Sequence, residues 1–359
     1  MNIPVIHVST TIERGGAEKQ LLILAREQIS LGLQVTIVGL KGKPELEEEF
    51  AQLGAQVSKI IANHSFVSAM IKLRRIFRQN PNSIIHAHLP RAELLSRLAL
   101  LGLSNTLIIS RHNAESFFPK APNSLSRLIS LWVTQRAKAV IAISSTVSEY
   151  LAKSREISSQ ANLYIVTYGY DSNVKVMLKT WKPRNQSDSL QLITIGRLTD
   201  QKNYPFMFRA LQKLKILNVP FSLTILGDGF LRAQLKTFAE ELGISDALTW
   251  LGKQDDIPRI LSNHDALIMS SKYEGFGLVL LEAMQQSLPI IAPDRSVFPE
   301  VLGSDYPGLF PADSEQEMAK LIEKLSDLTF YSKLSQASSS RLSYFEPRKM
   351  AQHITQLYC

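Results

Sequence analysis

Cysteine is almost absent from this 359-residue chain, which contains only Cys359, at its last position. A single thiol excludes a disulfide framework and a cysteine-rich zinc cluster within the chain, and fits a reducing compartment. The sequence also lacks an apolar run long enough to span a membrane, and a basic and apolar leader at its start. Hydrophobic residues make up 45% and charged residues 20%, so we expect a soluble, cytoplasmic protein with room for two domains.

Aspartate is missing from the first 170 residues, and the charge is uneven as a result. Residues 1–170 contain 19 Lys and Arg against 11 Glu, a net charge of +8, whereas residues 171–359 contain 21 of each sign. Residues 64–138 hold 11 basic residues and only two acids, Glu93 and Glu115. This basic stretch is either a set of solvated helix faces or a surface for an anionic partner such as a membrane, a lipid diphosphate or a nucleic acid.

Two segments of the basic stretch allow two interpretations each. Residues 66–79 form an amphipathic pattern with three arginines opposite the apolar side, which suits a helix packed on a sheet or one lying on a bilayer. Residues 116–120 form a loop with two phenylalanines and a proline. If exposed, this loop would bury its aromatic rings in lipid or in an acceptor; if buried, it would close the core.

Short apolar runs alternate with helical segments along both halves, which predicts two parallel sheets wound on both sides, that is, an α/β protein of two Rossmann-like domains. The polar stretch 171–190 predicts a linker. We therefore expect an N-terminal domain over 1–170 and a C-terminal domain over 191–345, with a final helix over 346–359 that packs back on the first domain.

Polar side chains follow three predicted strands of the first domain, namely His88, His112 and Ser144. Ligands of open parallel sheets bind at the carboxyl ends of the strands. Each histidine can also have a structural role; His112, between Arg111 and Asn113, is the strongest candidate for catalysis.

Glycine loops and cations follow other strands. Gly15 and Gly16 stand between the first strand and the first helix, which suits close approach to a phosphate, although their spacing is not that of dinucleotide binders. In the second half, Arg197 and Lys202 follow a strand and precede a helix. They are either ordinary surface bases or a clamp for a diphosphate.

The stretch from Ser270 to Met284 is the most informative. A predicted strand at 266–269 leads into Gly275-Phe276-Gly277 and then into a run of helix formers, with carboxylates at Glu274 and Glu282. Such a turn places backbone N–H groups and a positive helix end where an anion can bind. By itself the pattern is equally typical of an ordinary strand-to-helix turn.

Together these segments resemble the retaining glycosyltransferases of family 4 over nearly the whole chain. The resemblance is carried by Gly15-Gly16-Ala17-Glu18, Gly196-Arg197-Leu198 with Gln201-Lys202-Asn203, Gly227-Asp228-Gly229, and the E-x7-E signature from Glu274 to Glu282. It implies the GT-B fold, in which two Rossmann-like domains with parallel sheets face each other across a deep cleft. The family often has Asn-Gly where this chain has Tyr168-Gly169, which leaves the contacts between the domains open.

The resemblance also implies roles for individual residues. Arg197 and Lys202 would hold the donor diphosphate, Glu282 the ribose and Glu274 the donor sugar, which His112 would face. The catalytic residues implied in this way are His112 and Glu274, and the donor-binding residues are Gly15, Gly16, Arg197, Lys202, Gly252, Gly275, Phe276, Gly277, Leu278 and Glu282.

The expected reaction moves a hexose or N-acetylhexosamine from a nucleotide-diphosphate sugar, UDP favoured and GDP possible, to a membrane-associated glycan or lipid-linked acceptor. No Asp-x-Asp motif occurs where a metal-bound diphosphate would need one, so no obligatory metal or other cofactor is expected. Retention would follow a front-face mechanism, with Glu274 as a nucleophile the alternative. The basic stretch 64–138 would meet the anionic inner face of the cell membrane, with no nucleic-acid partner.

Two other functions remain open on the sequence. A nucleotide-sugar 2-epimerase of the same architecture would use the same base and diphosphate sites. A non-catalytic binding module would need only the basic stretch.

Overall fold

The computed structural model describes residues 4–59, 65–177 and 188–359. The chain forms two compact units: unit 1 contains Met1–Gly169 and Phe345–Cys359, and unit 2 contains Tyr170–Tyr344. The first boundary thus falls one residue before the predicted one. Half of the predicted linker, residues 178–187, lies outside the described residues, as does His64 at the start of the basic stretch.

Unit 1 is built on a parallel sheet with the strand order β3-β2-β1-β4-β5-β6-β7. Its strands are β1 (Pro4–Ser9), β2 (Gln34–Gly39), β3 (Gln56–Lys59), β4 (Ile84–His88), β5 (Thr106–Arg111), β6 (Ala137–Ala142) and β7 (Asn162–Ile165). The helices between them are α1 (Gly16–Ser30), α2 (Glu47–Gln52), α3 (Phe66–Gln79), α4 (Pro90–Ala99), α5 (Asn123–Thr134) and α6 (Ser145–Ser154).

Helices cover both faces of this sheet, because its central strands are apolar on both sides. On one face, Leu21 and Leu24 of α1 join a buried cluster with Val5 and Ile84. On the other face, α3, α4 and α5 contribute to a second cluster, with Leu73 and other residues packed on the sheet. Each fully buried leucine of this kind contributes about 1.5–3 kcal/mol to folding.

Unit 2 repeats the plan with the strand order β10-β9-β8-β11-β12-β13. Its strands are β8 (Leu190–Ile195), β9 (Phe221–Leu226), β10 (Leu248–Gly252), β11 (Ala266–Ile268), β12 (Ile290–Pro293) and β13 (Leu309–Phe310). Its helices are α7 (Tyr204–Ile216), α8 (Arg232–Glu241), α9 (Ile257–Leu261), α10 (Leu278–Gln285), α11 (Phe298–Leu302), α12 (Glu315–Glu323) and α13 (Leu328–Leu342).

Two Rossmann-like units with parallel sheets were predicted, and both are present. Strand β13 was not predicted, because a two-residue strand has no periodicity to detect. Unit 2 also includes residues 171–177 of the predicted linker: Gln285 Nε2 donates to the Asp171 carbonyl at 2.7 Å, and the Met177 N–H donates to Gln286 Oε1 at 2.7 Å.

The last helix, α14 (Pro347–Gln356), belongs to unit 1. Met350, Ala351 and Ile354 join the buried cluster beneath α1. The backbone of Gly169 lies so close to α14 that a Cβ there would be 2.5 Å from Pro347 Cα. A side chain at position 169 would therefore push the helix away.

Candidate active site

The strand order of unit 2 reverses between β8 and β11, which are neighbours in the sheet although not in sequence. Loops that leave the carboxyl ends of two such strands diverge, and the crevice between them is the ligand site of open parallel sheets. Residues 196–203 follow β8, and residues 269–277 follow β11. The fold therefore brings together the two segments that carry Lys202 and Glu274.

An ion pair joins the two loops. Lys202 Nζ donates to Glu274 Oε1 at 2.6 Å, with only 15% of the lysine side chain and 8% of the glutamate side chain exposed. Ser271 Oγ donates to the same carboxylate oxygen at 2.7 Å. Because a buried charge without its partner is costly, this pair holds both side chains in one orientation.

Glycines make room for this arrangement. A Cβ on Gly196 would lie 2.7 Å from Lys202 Cε and 3.1 Å from Nζ. Gly227 has a φ of 128°, and a Cβ there would collide with the Gly196 carbonyl oxygen. The Tyr204 hydroxyl donates to that carbonyl at 3.0 Å. These glycines thus let the ends of β8 and β9 approach each other beside Lys202.

The loop after β11 is held from several sides. The Lys272 N–H donates to the Gln201 carbonyl at 2.8 Å, and Gln201 Nε2 donates to the Tyr273 carbonyl at 3.0 Å. The Glu274 N–H donates to Ser296 Oγ at 3.1 Å. The position of the Glu274 carboxylate is therefore fixed by its backbone as well as by its ion pair.

The loop after β11 leads into the start of α10. Gly277 caps the helix with a φ of 78°, and this helix has neither an acidic residue in its first turn nor a side-chain cap. No acidic side chain of the first turn therefore offsets the positive end of the helix dipole. Phe276 is buried, Gly275 and Leu278 are half-buried, and Glu282 lies half-buried within the helix.

The remaining residues expected at the donor site lie in the segment after β8, at the end of β10 and at the start of α1. Arg197 is exposed at the end of β8. Gly252 ends β10 with a φ of 68°, and its carbonyl accepts from the Gly227 N–H at 2.7 Å. In unit 1, Gly15 caps α1 and Gly16 is its exposed first residue. A Cβ on Gly15 would collide with the buried carboxylate of Glu18.

His112 follows β5 and is engaged on both ring nitrogens. Its Nε2 lies 3.2 Å from His88 Nδ1, and its Nδ1 is hydrogen-bonded to the Tyr168 hydroxyl. Burial lowers the pKa of His112 from 6.5 to about 4, so the imidazole is neutral at physiological pH. Tyr168, where the chain departs from the family pattern, is thus the partner of the expected catalytic histidine.

Two family models match the chain in succession. The model described as Glycosyltransferase Family 4 matches residues 14–173, and the model described as Glycosyl transferases group 1 matches residues 178–340. The chain belongs to the family 4 type of glycosyltransferases.

Individual proteins agree with this assignment. This glycosyltransferase is 24% identical over 311 residues to the putative glycosyltransferase EpsF of Bacillus subtilis. The matched region covers 81% of the chain and 79% of EpsF. It is 28% identical over 163 residues to the N-acetylgalactosamine-N,N'-diacetylbacillosaminyl-diphospho-undecaprenol 4-alpha-N-acetylgalactosaminyltransferase of Campylobacter jejuni, over 45% of the chain and 44% of that protein. The crystal structure of Anabaena HepE in complex with UDP-glucose matches with a TM-score of 0.80, 18% identity and 99% coverage of both chains, which shows a shared GT-B fold.

The glycosyltransferase also has a buried charge cluster that the sequence did not reveal. Arg111 Nε donates to Glu93 Oε2 at 2.8 Å, and its Nη1 lies 3.5 Å from Glu156 Oε2. The Arg111 guanidinium stands 4.6 Å from the centre of the Phe117 ring. Arg111 is therefore a structural cation and not part of a basic surface, and Phe117, which is buried, closes the core.

Proposed function

We propose that this glycosyltransferase moves a hexose or N-acetylhexosamine, with retention of configuration, from a nucleotide-diphosphate sugar to a membrane-associated glycan or lipid-linked acceptor. UDP-sugars are the favoured donors, and GDP-sugars are possible. Unit 2 binds the donor and unit 1 the acceptor. The observation that carries the proposal is the Lys202–Glu274 pair at the strand-order reversal of unit 2, beside the start of α10.

The chemistry follows from where charge develops. Cleavage of the bond between sugar and diphosphate leaves negative charge on the phosphate and positive character on the sugar ring. Lys202, Arg197 and the N–H groups of residues 275–278 supply preorganised positive potential for the leaving phosphate. Glu274 binds the sugar hydroxyls, and Glu282 binds the ribose.

Glu274 serves to position the sugar and is not the nucleophile. One of its carboxylate oxygens already accepts hydrogen bonds from Lys202 and Ser271, which lowers its nucleophilicity. Retention is then left to a front-face reaction in which the donor phosphate takes the proton of the acceptor. No obligatory metal is required in this scheme, because Lys202 and Arg197 supply the counter-charge.

The names of similar proteins support the proposed donor and acceptor. HepE was crystallised with UDP-glucose, which favours a UDP-sugar. The name of the Campylobacter jejuni relative specifies an acceptor linked to diphospho-undecaprenol, a membrane lipid, which favours a lipid-linked acceptor here.

The outer side of the α3–α5 layer is proposed to contact the membrane. Among the described residues, no helix is long and apolar enough to cross a bilayer. The α3–α5 surface combines exposed apolar side chains with exposed cations; these are Phe66, Val67, Ile71, Leu125 and Leu128, and Arg75, Arg78, Lys120 and Arg127. Apolar anchors with cations bind anionic lipid headgroups, which would place the enzyme on the inner face of the cell membrane.

Binding to vesicles tests the membrane contact. The double variant Arg75→Glu with Arg127→Glu should weaken sedimentation with anionic vesicles at low salt, since each basic residue near the surface contributes about 1 kcal/mol. The matched control, Lys236→Glu with Lys333→Glu, changes the same charge on exposed residues of unit 2 and should bind like the wild type. Equal binding of all three proteins would refute this contact.

Calorimetry with UDP, GDP and ADP tests the donor site. UDP should bind most tightly, and Lys202→Met should lose roughly 2–4 kcal/mol of transition-state stabilisation in sugar transfer. The control Lys272→Met removes an exposed lysine from the neighbouring loop after β11 and should retain activity. Full activity of Lys202→Met would contradict the assignment, and a new sugar formed from UDP-N-acetylglucosamine alone would indicate an epimerase instead.

A further inference from the structure

A row of polar side chains crosses the α1 face of the unit 1 sheet. The sheet register places His7 opposite His86 and His88 opposite Ser110. Since alternate residues of a strand share a face, these side chains and His112 lie on one face. His7, His86, His88 and Ser110 are all buried, in a layer whose other members are largely apolar.

Hydrogen bonds link the side chains of this row into one hydrogen-bonded chain, which passes through Gln28 of α1. On one side, Gln28 Oε1 lies 2.8 Å from His7 Nε2, and His7 Nδ1 lies 3.0 Å from His88 Nε2. His88 Nδ1 leads to His112 Nε2, and His112 Nδ1 to the Tyr168 hydroxyl. Gln28 is itself fully buried.

A second arm of the hydrogen-bonded chain runs from Gln28 through Tyr358 to His86. Gln28 Nε2 donates to the Tyr358 hydroxyl at 2.8 Å, and this hydroxyl lies 2.8 Å from His86 Nδ1. His86 Nε2 lies 2.8 Å from Ser110 Oγ. The two ring nitrogens of every histidine in the row are therefore engaged.

The direction of each bond from Gln28 to Tyr168 follows from the Gln28 amide. Burial lowers the pKa of His7 to about 4 and that of His88 and His86 well below 6.5, so each imidazole is neutral and carries one N–H. Because the Gln28 oxygen can only accept, His7 donates from Nε2 and accepts at Nδ1. His88 must then donate from Nε2, and so must His112, whose Nδ1 accepts from Tyr168.

Rotation of the amide by half a turn would reverse this polarity. The Gln28 nitrogen would then donate to His7, and His7, His88 and His112 would each have to carry the proton on Nδ1. The orientation of the Gln28 amide thus selects between two self-consistent sets of tautomers for His7, His88 and His112.

The same three imidazoles of His7, His86 and His88 have nitrogens within 4.8 Å of one another, a spacing that could also hold a metal ion. A metal would have to displace hydrogen bonds to Gln28, Tyr358 or Ser110 that already satisfy the rings. The hydrogen-bonded chain accounts for the geometry without one.

We propose that Gln28 is a positioning residue for glycosyl transfer, which acts through His7 and His88 to hold His112 as the neutral tautomer protonated on Nε2. The inference rests on the proposed function and on the role that the family resemblance implies for His112, which is to face the donor sugar. A neutral ring matters there because an imidazolium would oppose the positive character that develops on the sugar. With both nitrogens engaged, the ring also does not take the proton of the acceptor, and that proton goes to the donor phosphate.

Three full-length variants test the proposal. Gln28→Met keeps the size of the side chain but removes both hydrogen-bonding groups. Gln28→Glu restores an acceptor for His7 Nε2–H. The control Asn105→Leu removes another buried amide, which bonds Asn80 and Ser83 at the opposite end of β5 from His112.

Two readouts separate positioning from folding. Nitrogen-15 NMR of histidine-labelled protein reports which ring nitrogen of His112 is protonated. Release of UDP from UDP-glucose or UDP-N-acetylglucosamine gives kcat and KM separately.

We expect His112 to be protonated on Nε2 in the wild type and in Gln28→Glu, and to become a mixture of tautomers in Gln28→Met. Turnover of Gln28→Met should fall by about 10-fold to about 100-fold, as when the outer partner of a metal-bound histidine is removed, with KM unchanged because the donor is held by unit 2. Asn105→Leu should keep the wild-type tautomer and turnover.

An unchanged His112 tautomer in Gln28→Met would overturn the inference, as would an equal loss of turnover in Asn105→Leu. If the wild type released UDP from neither sugar, the proposed donor would be wrong, whereas the NMR result would still decide whether Gln28 controls His112.

Discussion

Mild acid should destabilise unit 1, because its buried imidazoles have to gain protons on unfolding. Burial lowers the pKa of His7 and His112 from 6.5 to about 4, and lowers that of His86 and His88 as well. The unfolded chain therefore binds more protons than the native one between about pH 6.5 and about pH 4, and stability is lost as the pH falls through this window.

The expected loss can be worked out from these shifts. At about pH 5 an unfolded histidine is almost fully protonated while a native one with a pKa of about 4 is mostly neutral, which costs about 2 kcal/mol per histidine relative to pH 7. His7 and His112 together therefore cost about 4 kcal/mol, against about 5–15 kcal/mol for the whole stability of a domain.

Glu93 works in the opposite direction. Burial raises the pKa of Glu93 from 4.5 to about 7, against the attraction of Arg111. The native carboxyl thus holds its proton where the unfolded one releases it, so this group stabilises unit 1 as the pH falls from about 7 to about 4.5, by about 2 kcal/mol. On acidification the wild type should lose stability by the difference between the two contributions, and Glu93→Gln should lose more stability because the Glu93 contribution is absent.

Urea unfolding near pH 7 and near pH 5 measures this difference. Fluorescence of Trp132 in α5 reports on unit 1 when Trp181 and Trp250 are replaced by Phe. Glu93→Gln should lose more stability on acidification than its parent, and His353→Gln, which removes an exposed histidine of the same unit, should behave like the parent. Equal unfolding midpoints of Glu93→Gln at both pH values would refute the assignment of neutral, buried imidazoles.

Two substitutions test single contacts. Gly196→Ala should push Lys202 aside and weaken UDP binding about tenfold, equivalent to 1.4 kcal/mol, in isothermal titration calorimetry; unchanged affinity would show that Lys202 does not hold the diphosphate. Tyr358→Phe should lower the urea stability of unit 1 by about 1–3 kcal/mol, because Gln28 and a histidine lose a buried partner. The exposed Tyr344 provides the control Tyr344→Phe, and equal stability of the two variants would contradict the role of the Tyr358 hydroxyl.

Local sequence patterns predicted the strands and helices, but they did not predict which distant side chains contact each other. The segment from Ala266 to Gln285 was predictable because an apolar run, a glycine turn and a run of helix formers each leave a local signal. The ion pair of Lys202 with Glu274 joins residues 72 positions apart. This ion pair depends on β8 lying next to β11. The order of the strands in the sheet cannot be read from the alternation of strands and helices along the sequence. Only the family resemblance suggested that both residues share a site.

The histidine row shows the same limit. The alternation in Ile84–His88 already places His86 and His88 on one face. It does not identify Gln28 or Tyr358 as their partners, because Gln28 lies in α1 and Tyr358 follows α14, both far from β4 in sequence, and they reach the sheet only through packing. Arg111 was noted as a neighbour of His112, but its burial against Glu93 depends on how α4 packs beside β5.

The return of the chain to unit 1 has a consequence for biosynthesis. Unit 2 is an insertion within unit 1, and Tyr358, next to the last residue, is one of the buried partners of Gln28. During synthesis all strands of unit 1 emerge before α14, which packs beside α1 on one face of their sheet. The part of that face under α14 therefore stays uncovered until residues 347–358 have been made, whereas unit 2 is complete at Tyr344. Unit 2 can therefore finish folding first, and a nascent chain stalled before α14 would expose the unfinished sheet of unit 1 to chaperones.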